Sequence, residues 1–500
     1  MTPETASFSS SAITAPQPKR LALKLGAVFV VTILVQQVVP LNLDVSWLLT
    51  VGERILDGQR LYRDIVEINP PMAAFAYLPD VALARKLGID PRYVMEVQLL
   101  LLAAGSMLAA ARILLLSPAI SQTISASFAV FTAAVLTILP MHAFGQREHI
   151  ATLTFLPALA AYTLRSAGEP LPRWDVLIAG LGAGITLAFK PYFAVPCALC
   201  IVTSAIVSRS WRAMFSPENV IAAVLASVVS LGTYFFYPEY FTNIYPLVRD
   251  IYLSWSVPAS VLFLNTATLI FAVGLSCVLL TRQKKTDLLS LSALVASFGF
   301  AIAFVLQRRG WTYHSYPMVA FVLLAMGYAL TGQRDSQGRP HRGDIAAAFV
   351  LGVIFLLGTQ WFNTRVYIGP VEEAVAGLKP RPRVLVLSGE AAIGNPLVRE
   401  IDGVWVSRQE SLWIREFVRL TRERTSVDAS TDASLDNYLA LERKWLIEDF
   451  RRLPPDVILV DNLRDNWGDW AHADTELAEL LEPYSLVRSV EGIDILRRTK

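Results

Sequence analysis

The chain has 500 residues, of which 54% are hydrophobic and only 17% charged, and its mean hydropathy is +0.46. That excludes an ordinary soluble protein of this size and implies an integral membrane protein. A formal net charge of +2 provides no global basic field, so nucleic acid is not an expected partner, and where the charges sit says more than their sum.

Residues 1–18, MTPETASFSSSAITAPQP, are rich in Ser, Thr, Ala and Pro and read as a disordered tail. The apolar run that follows Lys19, Arg20 and Lys24 is too long for a signal-peptide core and lacks a small-residue cleavage pattern. It reads as a retained first membrane helix. A crossing takes about 20 apolar residues, because about 1.5 Å of rise per residue must span about 30 Å of hydrocarbon. Eleven segments meet this approximately: 21–40, 93–116, 122–140, 148–165, 174–189, 191–208, 219–237, 258–281, 287–306, 314–332 and 344–362.

The stretch 174–208 is either two short helices or one long helix kinked at Lys190-Pro191, and parity depends on which. Basic residues favour two. With eleven crossings and a cytoplasmic N-terminus, the inner loops hold Arg112, Arg165, Arg173, Arg209, Arg212, Arg282, Lys284, Lys285, Arg334, Arg339 and Arg342. The short outer loops hold only Arg147, Lys190, Arg249, Arg308 and Arg309. The expected organisation is a cytoplasmic tail (1–18), a membrane domain (19–362) with a long outer loop (41–92), and an extracytoplasmic domain (363–500).

In the first outer loop, Trp47, Leu48, Val51 and Ile55 recur at helical spacing while Ser46, Thr50, Glu53, Arg54 and Asp57 stay polar. This predicts an amphipathic helix lying in the membrane interface and stopped by Gly58. Asp44 at its start has two readings, an N-cap or a reactive carboxylate. Farther on, Asp64, Glu67 and Asn69 precede Pro70-Pro71; the two acids suit positioning of the loop better than reaction.

MHAFGQREH (141–149) crowds His142, Gln146, Arg147, Glu148 and His149 into one short outer loop. So many polar groups at a helix end are costly to insert unless they face water or a ligand. Glu148 with His149 is a candidate half-site for a divalent metal ion; the alternative is a helix cap with interface anchors. Lys190 interrupts the apolar GITLAFKPYFAV, and Arg308, Arg309, Tyr313 and His314 cluster in QRRGWTYHSYP. Each cation alone fits snorkelling to the interface, but several on one face argue for a shared anion, most simply a phosphate. Cys197, Cys200 and Cys277 lie in apolar runs and read as packing residues.

Beyond residue 363 the composition becomes that of a soluble domain. PRVLVLSG (382–389) and PPDVILVDN (454–462) read as buried parallel strands, 409–424 and 432–452 as charged helices, and YSLVRSVEGIDILRR as a hairpin turning near Glu491-Gly492. The glycines of GEAAIGN lack the spacing of a nucleotide motif and read as a turn between strand and helix. The fold class is therefore an α-helical polytopic membrane protein with a small C-terminal α/β domain.

Asp44, the helix after it, DGQRLYRDIVEINPP, the GQREH turn, the FKPY break and GWTYHSYP together resemble the GT-C class of membrane glycosyltransferases, of the protein mannosyltransferase and aminoarabinose transferase type. The resemblance covers 20–362. It implies a sugar donor linked to a polyprenyl phosphate, and a first-loop carboxylate, here Asp44, acting as general base on a lipid, glycan or protein acceptor. Arg147, Lys190, Arg308 and Arg309 would then stabilise the phosphate, and location in the inner (plasma) membrane follows. The acidic pair often found in this first-loop motif is reduced here to LDV, so Asp44 stands alone. A transporter or lipid flippase is the main alternative, although no internal repeat is visible and the charges sit in loops rather than at the midplane. A non-catalytic assembly or receptor subunit is a second.

Overall fold

Each of the eleven apolar segments is mainly helical over its described residues in the computed structural model, which describes residues 18–499 apart from 122–123, 282–286, 332–341, 425 and 464; the expected single helix at 258–281 is instead broken into Ala259–Phe263 and Thr266–Thr281. The expected tail, up to residue 17, and the basic residues Arg282, Lys284, Lys285, Arg334 and Arg339 lie outside the described residues. Among the described residues, six helices are long and apolar enough to cross a membrane: Lys19–Val38, Pro91–Leu114, Trp211–Phe236, Leu288–Gln307, Thr312–Leu330 and Ile345–Phe362. Three more, Ala126–Thr137, Pro191–Val207 and Thr266–Leu280, are apolar but shorter.

The remaining two have a different role. Arg147–Ser166 is buried along almost its whole length, so it has little need of a lipid-facing apolar side. Its Thr152, Thr154 and Thr163 hydroxyls return hydrogen bonds to its own carbonyls, which makes them tolerable inside the bundle. Arg173–Phe189 packs against it through small residues. A Cβ on Gly182 would come within 2.3 Å of the Thr154 carbonyl oxygen, and one on Gly180 within 2.8 Å of the Glu218 carbonyl oxygen. Close backbone approach of this kind holds helices together where lipid supplies no hydrophobic drive. Exposed apolar residues, by contrast, recur at helical spacing on peripheral helices, as in Val220, Val224, Val228 and Leu231.

The 174–208 stretch is two helices, Arg173–Phe189 and Ala194–Val207, separated by Lys190 in an extended conformation and a 3-10 turn at Pro191–Phe193. Cys197 and Cys200 are free thiols buried in the packed bundle.

The C-terminal domain contains one five-stranded sheet in the order β2-β1-β3-β5-β4, with β1 Arg383–Leu387, β2 Val404–Trp405, β3 Val457–Asp461, β4 Tyr484–Val490 and β5 Ile493–Arg498. β1 runs parallel to β2 and β3, whereas β5 is antiparallel to both β3 and β4. The β4–β5 hairpin turns at Glu491 (φ 52°) and Gly492 (φ 80°), a pair of left-handed residues that suits the strand twist. Helices Trp413–Arg424 and Ala429–Arg452 lie where charged helical patterning is expected.

One expectation is corrected. The Leu43–Leu56 helix does not lie with its polar side in water: Ser46, Thr50 and Arg54 are as buried as Trp47, Leu48 and Val51. The C-terminal domain covers that side. Ser46 Oγ donates to Asn395 Oδ1 (2.7 Å), Asn395 Nδ2 donates to Thr50 Oγ1 (3.1 Å), and Arg399 pairs with Glu53 (2.7 Å). Arg54 donates to the carbonyls of Ser407 (2.7 Å) and Trp405 (2.6 Å). The GEAAIGN turn thus serves to bring Asn395 and its helix, Asn395–Glu400, onto this surface. A second contact packs Trp413, Ile414, Val418 and Leu435 against Leu247 and Ile251.

Candidate active site

Asn42, not Asp44, caps the Leu43–Leu56 helix: its side chain accepts the Asp44 backbone N–H at 3.0 Å. The cap reading of Asp44 therefore falls, and its carboxylate is left for other work. Asp44 Oδ2 accepts from Arg147 Nη2 (3.0 Å) and from Gln146 Nε2 (3.1 Å), the latter also bonded to Asn42 Oδ1. The acid keeps 16% of its side-chain surface open while Arg147 keeps 5%.

A turn places Gln146 and Arg147 there. Gly145 takes φ +84°, a left-handed value that few side chains adopt, and its carbonyl accepts from the buried Tyr77 hydroxyl at 2.6 Å. Helix Arg147–Ser166 starts immediately afterwards, so three consecutive side chains fan out from its first turn. Gln146 and Arg147 reach Asp44. Glu148 turns to Lys190, whose Nζ also lies 3.0 Å from Gln307 Oε1 and 3.2 Å from His314 Nε2. Lys190 further sits 5.8 Å from the centre of the Tyr313 ring. Four segments far apart in sequence meet here.

The pairing is incomplete in a way that matters. Arg147 Nε and Nη1, Glu148 Oε2, Gln146 Oε1 and His314 Nδ1 are buried without a hydrogen-bond partner among the described residues. With Lys190 donating to His314 Nε2, the ring proton resides on Nδ1, so the orphaned nitrogen is a donor. Buried polar atoms are nearly always satisfied, and so many left open in one place mark where a ligand's polar atoms belong.

Among solved structures, the chain superposes on that of ArnT from Cupriavidus metallidurans bound to undecaprenyl phosphate, with a TM-score of 0.57 over 96% of this chain and 98% of that one, at 14% identity. The two chains share one fold. Arabinofuranosyltransferase AftD from Mycobacteria matches at a TM-score of 0.46 and 14% identity over 97% of this chain, which spans only 40% of AftD. No protein-family model and no curated protein matches the sequence.

Within this fold the other sequence candidates separate by position. Glu67 is buried and filled: it accepts from Trp47 Nε1 (2.6 Å), Asn69 N–H (2.8 Å) and Asn69 Nδ2 (2.5 Å). Burial raises its pKa, opposed by those bonds and by the charge of Arg147. Asp64 is exposed and accepts from the Arg60 backbone N–H at 2.8 Å, as a loop-shaping acid would. Arg308 is exposed, at the left-handed end of helix Leu288–Gln307. Arg309 is buried, yet its guanidinium donates to the carbonyls of Tyr252 and Trp255 and lies 4.0 Å over the Tyr252 ring. It fastens the 245–256 segment, so these two arginines do not join Arg147 and Lys190 around Asp44.

The proposed metal half-site does not fit. His149 Nδ1 accepts from the Gly145 N–H (3.1 Å), and its Nε2–H donates to the Leu136 carbonyl (2.8 Å), so no ring lone pair remains for a cation. Glu148 is held by Lys190, and no group of three or more His, Cys, Asp or Glu suited to a metal occurs among the described residues. Sequence reasoning missed Asn42, Gln307 and Glu410 as part of this region. Asn42 was legible as a better cap than Asp44; Gln307 and Glu410 gave no local signal, because only tertiary packing brings them in.

Proposed function

We propose that the chain is a glycosyltransferase that moves a hexosyl or pentosyl group from a polyprenyl-phosphate-linked donor to a lipid, glycan or protein acceptor, with Asp44 as general base. The observation that carries this reading is the partial use of Arg147: one nitrogen orients Asp44, and two buried nitrogens stay free beside it. Transfer from a phosphate needs two things at one place, a carboxylate for the acceptor's proton and cationic donors for charge growing on the leaving group.

The acceptor oxygen attacks the anomeric carbon as the bond from that carbon to the phosphate oxygen breaks. Its electron pair leaves with the polyprenyl phosphate. The acceptor's hydroxyl proton passes to Asp44, which Arg147 Nη2 holds in place. The free Arg147 nitrogens take the phosphate, with His314 Nδ1–H as a further donor and the Lys190 charge beside them. A phosphate leaves without a strong general acid, so a direct, inverting displacement is expected. The fold shared with ArnT, whose structure holds undecaprenyl phosphate, supports the lipid-linked donor.

The placement of Lys and Arg supports a cytoplasmic N-terminus and an extracytoplasmic C-terminal domain, in the plasma membrane. Transfer would then occur on the outer side. Purified full-length protein incubated with undecaprenyl phosphate carrying a radiolabelled sugar, and with a membrane extract of the host as acceptor, should yield labelled product. Asp44→Asn should yield on the order of 10³-fold less. Equal transfer by both proteins removes Asp44 from its role, and no transfer by either removes the enzyme reading in favour of a transporter or assembly subunit.

A further inference from the structure

The segment that joins β2 to helix Trp413–Arg424 is held against the first long loop from two sides. Arg54 grips the carbonyls of Trp405 and Ser407, and the Val66 N–H donates to the Arg408 carbonyl at 2.8 Å. Glu410 follows directly. Its Oε1 is buried and has no hydrogen-bond partner among the described residues.

Its acidic neighbours are engaged. Glu442 accepts from the Ile414 N–H (3.0 Å), the Arg415 N–H (2.8 Å) and Gln409 Nε2 (3.2 Å). Asp449 accepts from the Arg408 N–H and Nε at 2.6 and 3.0 Å. Glu67 has the three bonds described above. Glu410 is the exception: its carbonyl oxygen lies 3.3 Å from where a Cβ on Gly394 would stand, beside the Asn395 that meets Ser46 two residues on from Asp44, and the charges of Asp44, Glu67, Arg147 and Glu390 act on its carboxyl.

We infer that Glu410 is an acceptor-binding residue, supplied to the membrane site by the C-terminal domain, and that it takes an uncharged, hydroxyl-rich head group. This rests on the glycosyltransferase reading and extends it to the second substrate. The charge layout separates the two substrates: Arg147 offers its two open nitrogens to a phosphate, while Asp44 on the side toward Glu410 repels an anion. Burial, reinforced by Asp44 and Glu67 and opposed by Arg147, holds the Glu410 carboxyl well above the usual carboxylate range. A neutral carboxylic acid has one O–H donor and spare acceptor lone pairs, the complement of a sugar or polyol hydroxyl.

The test titrates acceptor and donor separately. Full-length protein is given undecaprenyl phosphate carrying a radiolabelled sugar, and the host membrane extract is divided into neutral glycoconjugate and anionic lipid fractions. Glu410→Ala should raise the half-saturating amount of the neutral fraction about tenfold and leave that of the donor unchanged. Glu410→Gln, which keeps a donor and an acceptor atom, should stay within about threefold of wild type. Should the alanine variant not fold, as judged by its melting temperature, Glu410→Leu takes its place.

Unchanged acceptor dependence in Glu410→Ala overturns the inference while wild-type transfer upholds the enzyme. Donor and acceptor values moving together would mark a merely structural residue, and activity confined to the anionic fraction would overturn the assigned chemistry. An inactive wild-type protein would overturn the glycosyltransferase reading itself, and this one with it.

Discussion

Helix Arg147–Ser166 carries an arginine near each end, roughly 27 Å apart for a rise of 1.5 Å per residue, and the two are used in opposite ways. Arg165 meets Glu218 at two points, Nε to Oε1 at 2.8 Å and Nη2 to Oε2 at 3.1 Å. Arg147 meets Asp44 through Nη2 alone and leaves Nε and Nη1 buried and open. The first pair is bidentate, leaves no buried side-chain atom open among the described residues, and ties two helices together. The second is unsaturated among the described residues. Ion pairs of the same chemistry thus differ in the hydrogen-bonding capacity left over, and that remainder marks the functional end of the bundle.

The largest effect that would sharpen this contrast is expected from Asp44→Asn, which should lower the rate of sugar transfer on the order of 10³-fold while leaving the melting temperature near wild type. Arg147→Lys keeps a positive charge but loses the planar fork; transfer should fall about 100-fold, measured as kcat/KM for the donor. At the other end, Arg165→Leu should leave kcat close to wild type and cost about 2 kcal/mol of stability in thermal or denaturant melts, a value reduced from that of a fully buried pair because Arg165 is 22% exposed. An Arg165 variant that loses transfer while keeping its stability would break the comparison.

The smallest effect concerns the C-terminal domain. Burial pushes Glu442 up to about 7 from an ordinary 4.5, against the bonds it accepts from Arg415, Ile414 and Gln409. Because the folded-state value lies above the unfolded one, the stability linked to its proton is present below about pH 4.5 and is lost as pH rises through about 7. Glu442→Gln should therefore flatten the fall in domain stability between those two values, by on the order of 1 kcal/mol in pH-dependent melts. An unaltered pH profile in the variant would show that the carboxyl is already ionised in the folded protein.

Much of the fold was legible. Apolar runs of membrane length, the break at Lys190-Pro191, the two buried strands and the Glu491-Gly492 turn each follow from the local pattern, because hydrocarbon thickness, proline geometry and strand burial act on neighbouring residues. The candidate site was legible in part. Asp44, Arg147, Lys190 and His314 stood out because charge next to an apolar run is costly without a purpose. Arg308 and Arg309 stood out for the same reason, yet one lies in the open and the other holds a loop. Glu148 and His149 suggested a metal by adjacency, but successive side chains on a helix point about 100° apart, and these two turn to different partners.

The sequence by itself determined that the chain lives in a membrane, roughly where its apolar helices lie, and which polar residues have no cheap explanation. Only the tertiary structure decided that the polar side of the Leu43–Leu56 helix faces a protein domain instead of water, and that Asn42 takes the cap and frees Asp44. The reason is physical: propensity and hydropathy depend on a residue and its near neighbours, whereas the satisfaction of a buried hydrogen-bonding group depends on whatever the fold brings to within about 3 Å of it.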